Sequence, residues 1–238
     1  MSILRPALNR LGQAQDTIEL RPGDHLDQPT FHRRYEAMPE GFRAELIGGV
    51  VMVPLAVSAT HAEGLGVLAT WLNLYRFATP GTLALLDGTI ILGPESEPQP
   101  DGVLLILPEH GGQTRREGEY VAGPPELVAE VAYASHSYDL HSKLRDYERA
   151  GVREFVVLVE RSKRVERLSL RDGRFQRMPA GEDGVLRSEI FPGLWLDPAA
   201  MMAREGSRVV EVLQRGLASP EHSAFVDRLK EAQRPHSP

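Results

Sequence analysis

No cysteine occurs among the 238 residues. Disulfides, thiolate zinc sites and a cysteine nucleophile are therefore excluded, and any bound metal must sit on oxygen or imidazole ligands. Long apolar runs are missing as well: none reaches the roughly eighteen residues of a membrane helix. The opening stretch MSILRPALNRLGQAQDTIEL has basic residues but lacks the unbroken apolar centre of a signal peptide. The expectation is a cytoplasmic protein with no membrane segment. An excess of positive charge is also absent, since 27 Lys and Arg face 33 Asp and Glu for a formal net charge of -6. Proteins that coat DNA are usually basic, because phosphate contacts dominate their affinity. A weakly acidic chain needs a local basic strip or a bound cation to hold a polyanion. No internal repeat or low-complexity tract is present.

The length suits one ordinary domain with extensions, and the share of apolar residues, 42%, is enough for a buried core. Residues 1–30 have no hydrophobic period and read as an N-terminal arm. FHRRYEAMPEG suggests a short helix stopped by Pro39 and Gly41. In AELIGGVVMVP a Gly48-Gly49 pair between β-prone runs signals a hairpin. Residues 58–78 read as a helix capped by Ser58 or Thr60, with Leu65, Leu68, Leu72 and Tyr75 at helical spacing. LALLDGTIIL reads as a bent strand or a hairpin around Asp87-Gly88, PDGVLLIL as a strand, residues 109–123 as a polar loop and PPELVAEVA as a further strand. SHSYDLHSKLRDYERAG forms a helix with Leu140, Leu144 and Tyr147 on one face and Gly151 as its stop. REFVVLVE follows as a buried strand, then VERLSL and RFQRM as a hairpin around Asp172-Gly173. Residues 198–238 hold one or two amphipathic helices and form a C-terminal helical extension. A helix joining two strands implies parallel neighbours, and directly joined strands imply antiparallel ones. The prediction is an α/β domain over residues 31–197 with a central mixed sheet flanked by helices.

Three acids lie inside apolar strands: Glu45, Asp101 and Glu130. A carboxylate in such surroundings is costly to desolvate unless something positive neutralises it. Mg²⁺ or Mn²⁺ would do so, because hard cations take carboxylate oxygens, and Asp101 and Glu130 could share one ion if their strands are neighbours. Lys143 lies four residues after Asp139, so both fall on one helical face. An ammonium there can orient a water or stabilise charge growing on a phosphate. Together these parts fit hydrolysis of a phosphodiester.

In order, the chain also carries Glu45-Leu46-Ile47-Gly48-Gly49, His61, Pro100-Asp101 and Pro125-Glu126-Leu127-Val128-Ala129-Glu130-Val131. The trio Asp139, Lys143 and Tyr147 follows, then Ala150-Gly151-Val152-Arg153-Glu154-Phe155 and the closing PGLWLD. This set, spanning about residues 31–196, resembles the Uma-type ("Uma-two") restriction endonucleases of the PD-(D/E)XK superfamily. The resemblance implies a restriction-endonuclease-like core and dependence on Mg²⁺ or Mn²⁺; it names a reaction class more than a substrate, and the expected substrate is DNA. It implies Asp101 and Glu130 as metal ligands, Glu45 as auxiliary acid and Lys143 as the active-site lysine, supplied from the helix. His61 is implied as a substrate or water contact, and a homodimer follows by analogy with double-strand cutters. The superfamily's usual lysine position, two residues after the glutamate, is Ala132 here. Val131-Ala132-Tyr133-Ala134-Ser135 replaces the family's V-x-S-P-S, so Tyr133 stands for a small hydroxyl residue near the site, and Glu160-Arg161 replaces an Asp-Pro.

Each assignment has a plainer counterpart. Asp101 could cap a turn, Glu130 could pair with Arg145, and Lys143 could be solvated surface. Asp139 acts as a partner of Lys143 or as an ordinary surface pair, and Tyr147, on the apolar stripe, is expected to pack the core. Arg161, Lys163, Arg164 and Arg167 read as a solvated face, with a phosphate-contact strip as the sharper alternative, for which Arg115-Arg116 is a second candidate. Met201-Met202 should pack a helix onto the body. Against hydrolysis stand two rivals. One is a protein that kept the fold as a nucleic-acid or protein-binding module, with Tyr133 obstructing its site. The other is a purely structural role for the carboxylates as ion pairs.

Overall fold

Asp27 opens the first helix. Its carboxylate accepts the Thr30 N–H and Pro29 sits in the first turn, so α1 (Gln28–Tyr35) begins three residues ahead of Phe31 and ends well before Pro39. The computed structural model describes residues 19–54, 57–133 and 138–233, the side chains of residues 138 and 139 excepted. Next, β1 (Glu45–Ile47) and β2 (Val50–Met52) pair antiparallel around Gly48 (φ 57°) and Gly49 (φ 78°). Two consecutive positive φ values define the tight turn that a Gly-Gly pair accepts without strain. Ser58 caps α2 (Ala59–Ala78) by accepting the His61 N–H at 3.2 Å.

The run read as a bent strand or hairpin is neither. It splits at Asp87 (φ 51°) into β3 (Thr82–Leu85) and β4 (Ile90–Ile91), which belong to different sheets. After β5 (Gly102–Ile106), residues 109–123 are not all the loop expected of them, because β6 (Arg115–Glu117) and β7 (Tyr120–Ala122) form a hairpin. All three residues of β6 are exposed and charged, so no alternation betrays it. Its partner β7 is held from outside, by parallel pairing with β4. Then follow β8 (Leu127–Ala132), α3 (Tyr138–Ala150) ended by Gly151 at φ 93°, β9 (Glu154–Val159), β10 (Arg164–Arg171) and β11 (Arg174–Arg177). A short pair, β12 (Leu186–Arg187) and β13 (Trp195–Leu196), precedes α4 (Pro198–Ala203), α5 (Gly206–Leu217) and α6 (Pro220–Gln233). Three helices stand where one or two were expected, because Arg204, and not the Gly206 that follows, adopts the left-handed φ of 62° and breaks the first of them.

The main sheet has six strands in the order β11-β10-β9-β8-β5-β3. Only β8 and β9 run parallel, and α3 is the crossover between them; every other neighbour pair is antiparallel. This is the mixed, helix-flanked sheet that the order of elements predicts. On one face Leu127, Ala129 and Val131 pack with Leu68 and Trp71 of α2 and with Met201, Leu213 and Phe225 of the last three helices. On the other, Val128, Phe155 and Val157 pack with Leu140 and Tyr147 of α3 and with Ile90 and Val121 of the small sheet. Met201 is fully buried, so the methionine pair packs a helix as expected. Burying a side chain of that size contributes about 1.5–3 kcal/mol; the C-terminal helices are thus part of this face of the core.

Candidate active site

The pleat of β8 sorts its side chains. Val131 faces α2, where a Cβ added to Gly64 would come within 3.0 Å of its Cγ1, while Glu130 faces α3. Lys143 and Tyr147, four residues apart on one side of α3, both reach Glu130. The Lys143 ammonium lies 3.2 Å from Glu130 Oε1, and the Tyr147 hydroxyl donates to the same oxygen at 2.9 Å. Lys143 also bridges to Glu45 Oε1 at 2.9 Å, and that oxygen accepts the Gln99 N–H at 2.6 Å. Asp146 on α3 accepts the Gly48 N–H at 2.7 Å, which ties the β1–β2 hairpin to the helix and brings Glu45 to Lys143. Asp101, just ahead of β5, uses Oδ2 to accept the Val131 N–H at 2.6 Å and turns Oδ1 to His61 Nε2 at 3.2 Å. Glu45, Asp101, Glu130 and Lys143 are all between 6% and 9% exposed.

Burial raises the carboxyl of Glu130 to about 8, and the nearby charges of Asp101 and Glu45 add to the effect, against the pull of Lys143 and the Tyr147 hydroxyl. Burial and the same acids hold the Tyr147 phenol well above its ordinary range, so it stays a proton donor. His61 is raised chiefly by its hydrogen bond to Asp101, with burial opposing.

Glu45, His61, Asp101, Glu130 and Lys143 line a cleft of about 560 Å³, with Tyr147 behind them. The sequence-predicted set thus converges there. Tyr133 lies on the wall but is 75% exposed, so it does not fill the space. The Asp139 side chain lies outside the described residues. Arg145 does not pair with Glu130; it lines a separate hollow with Asp146. The basic run is largely absorbed: Arg167 is buried against Glu154 at 2.7 Å, Lys163 pairs with Glu160 at 3.0 Å and Arg164 with Glu166 at 2.5 Å. Arg115 likewise pairs with Glu117 at 2.7 Å.

Sequence reasoning missed three contributors. Tyr147 was assigned to packing alone, although its spacing from Lys143 was a usable signal. The Gln99 backbone, two residues ahead of Asp101, and the Arg204 guanidinium, which pairs with Glu160 on the cleft wall, had none, because each acts on a partner more than forty positions away in the chain.

Among the described residues, no three His, Asp or Glu side chains form a ready-made metal cage. The donor set nonetheless fits a hard cation. Mg²⁺ is commonly held by one or two carboxylates, keeping its remaining positions for water and substrate phosphate. Both described hydrogen bonds to Glu130 fall on Oε1, which leaves the lone pairs of Oε2 available.

A mixed sheet that carries buried carboxylates to one cleft, with a lysine delivered from the crossover helix, defines a restriction-endonuclease-like α/β fold. The chain belongs to the Uma2 family, described as "Putative restriction endonuclease", which it matches over residues 29–199. Its fold is similar to the crystal structure of a putative nuclease belonging to DUF820 from Anabaena variabilis ATCC 29413. That likeness has a TM-score of 0.53 at 13% identity, over 76% of this chain and 97% of that one. No curated protein sequence matches.

Proposed function

We propose that this protein is an endonuclease that hydrolyses DNA phosphodiester bonds with the help of Mg²⁺ or Mn²⁺. The observation that carries the reading is Glu130, a buried carboxyl raised to about 8, set beside Asp101 and under a lysine on the wall of an open cleft. Desolvation on this scale disfavours the ionised form unless a cation is present. Asp101 and Glu130 would hold the ion, which supplies Lewis acidity by activating water and neutralising charge at the phosphate. The Val131 N–H fixes the orientation of Asp101. Glu45 and Glu130 aim the Lys143 ammonium, which stabilises the charge growing on the phosphate. His61, kept protonated to higher pH by Asp101, offers a second positive contact.

The test is nicking of supercoiled plasmid DNA in Mg²⁺, in Mn²⁺ and in EDTA, with Glu130→Ala purified in parallel. The expected result is cation-dependent nicking that the variant abolishes. Cleavage that survives Glu130→Ala belongs to a contaminant and sinks the reading. A second reading, a binding module without hydrolysis, draws on the Lys143 bridge between Glu45 and Glu130, which ties both acids together without an ion. Retained DNA binding with no nicking in any cation would favour it.

A further inference from the structure

Tyr133 is an exposed ring on a fixed backbone. It follows the last residue of β8, yet the ladder with β9 continues through it: Glu160 donates to the Ala132 carbonyl and Arg161 to the Tyr133 carbonyl, each at 2.9 Å. Its side chain is 75% exposed, and Val57 on the same cleft wall is 62% exposed. A single exposed aromatic is ordinary on a protein surface. This one stands three residues from Glu130, at the rim of the space where a phosphate would be held.

The charges around it argue against a duplex. Five carboxylates line the cleft, those of Glu45, Asp87, Asp101, Glu130 and Glu160. Its two permanent cations are already engaged, Arg43 with Asp87 at 3.1 Å and Lys143 with Glu45 and Glu130. Binding of duplex DNA through about six to ten phosphate contacts needs a basic track, and this wall offers none. Stacking has no such requirement. An unpaired strand asks for fewer phosphate contacts, which a bound cation and one basic residue can supply, and every base presents a π-face, so an aromatic platform adds to its hold irrespective of sequence. Arg161, the residue whose N–H bonds the Tyr133 carbonyl, is exposed and forms no ion pair among the described residues, so one cation on the neighbouring turn is left to meet a phosphate. The cleft volume of about 560 Å³ matches a unit of small-molecule size, a nucleotide.

We infer that the cleft takes an unpaired DNA strand, with Tyr133 as the platform on which a base beside the reacting phosphate stacks. This rests on the reading of the site as a phosphodiester-cleaving centre and names its substrate class; in supercoiled plasmid that substrate is the strand exposed where negative supercoiling opens the duplex.

The experiment is fluorescence anisotropy of a labelled oligonucleotide, single-stranded or annealed to its complement, in Ca²⁺, with hydrolysis of both followed separately in Mg²⁺ and Mn²⁺. Single-stranded DNA should bind more tightly than duplex. Tyr133→Ala should weaken single-strand binding about fivefold to a hundredfold, the range set by loss of one base–aromatic stack, and leave duplex binding unchanged. Tyr133→Trp should restore it. Equal or tighter binding of duplex, or single-strand binding indifferent to Tyr133→Ala, overturns the inference. Preference for an RNA oligonucleotide of the same sequence overturns the assignment to DNA. If neither DNA is cut in any cation, the hydrolytic reading fails, while the binding preference still decides the role of Tyr133.

Discussion

Glu130 and Glu154 sit on adjacent strands of the same sheet, each buried and each facing a cation, yet their surroundings are opposite. Glu154 is fully buried. Its carboxylate accepts from Arg167 at 2.7 Å, from the Ser188 hydroxyl at 2.7 Å and from the Glu189 and Ile190 N–H groups at 2.7 and 3.3 Å. Glu154 lines a void of about 10 Å³. Glu130 has a lysine and a phenol on one oxygen, two other acids close by, and an open cleft in front of it. A buried carboxylate surrounded by donors is a finished structural joint. One short of donors and crowded by like charge keeps its proton until something positive arrives. Burial alone therefore does not mark a functional acid; the shortage of donors and the open space do.

The sharpest way to break this contrast is to neutralise each acid separately. Glu130→Gln should lower cation-dependent hydrolysis by at least about a hundredfold while leaving the melting temperature equal or higher, since a costly buried acid is removed. Glu154→Ala should do the reverse. It strands Arg167 without its partner, which costs about 3–5 kcal/mol of stability, readable as a lower urea midpoint, with little change in turnover by the molecules that stay folded. If the two variants behave alike, the distinction between joint and site fails.

A smaller effect separates the two acids by pH. The folded-state value of Glu130 lies at about 8, well above 4.5. Between those values the unfolded chain has released a proton that the folded chain retains. Stability contributed by Glu130 is therefore complete at the acid end and declines as pH rises through the folded value. His61, also raised, acts in the same direction, its contribution lost as pH climbs past its folded value. Melting curves in EDTA should fall across this window for the wild type, less steeply for Glu130→Gln, and less steeply when Mg²⁺ is added. A wild-type slope unaffected by either change would mean that Glu130 ionises as easily as a surface acid.

How much of this was legible beforehand varies with what each residue needed. The apolar runs over Gly102–Ile106, Leu127–Ala132 and Glu154–Val159 announce buried strands without tertiary information, and the acids beside or within the first two, Asp101 and Glu130, are singled out for that reason, although Glu154 opens the third in equally apolar company. The sequence does not separate Glu130 from Glu154. That difference depends on donors delivered from Ser188, Glu189 and Ile190, more than thirty positions away. The convergence of Glu45 on Lys143 likewise requires the hairpin to be docked on α3 through Gly48 and Asp146. Charged β6 escaped notice because its pairing, and not its side chains, makes it a strand. The break at Arg204 escaped because local residues do not demand its left-handed backbone.

Tyr147 offers the finest test of the comparison, because it serves both purposes. Its ring packs on Phe155 at 5.3 Å in the core, as its place on the apolar stripe implies, and its hydroxyl supplies one of the few donors Glu130 has. Tyr147→Phe keeps the ring and removes the donor. The loss of one hydrogen bond to a charged acceptor should cost roughly 1–3 kcal/mol at most, and less at acid pH, where Glu130 is protonated. Its larger consequence falls on the site. Without the donor the ionised form of Glu130 is harder to reach, so the acid limb of the pH–rate profile should move to higher pH. Affinity for Mg²⁺ should drop by about tenfold, the lower end of what losing a group that orients a metal ligand costs. A profile and an affinity identical to wild type would show that the hydroxyl contributes nothing to the site, and that Tyr147 belongs with the core.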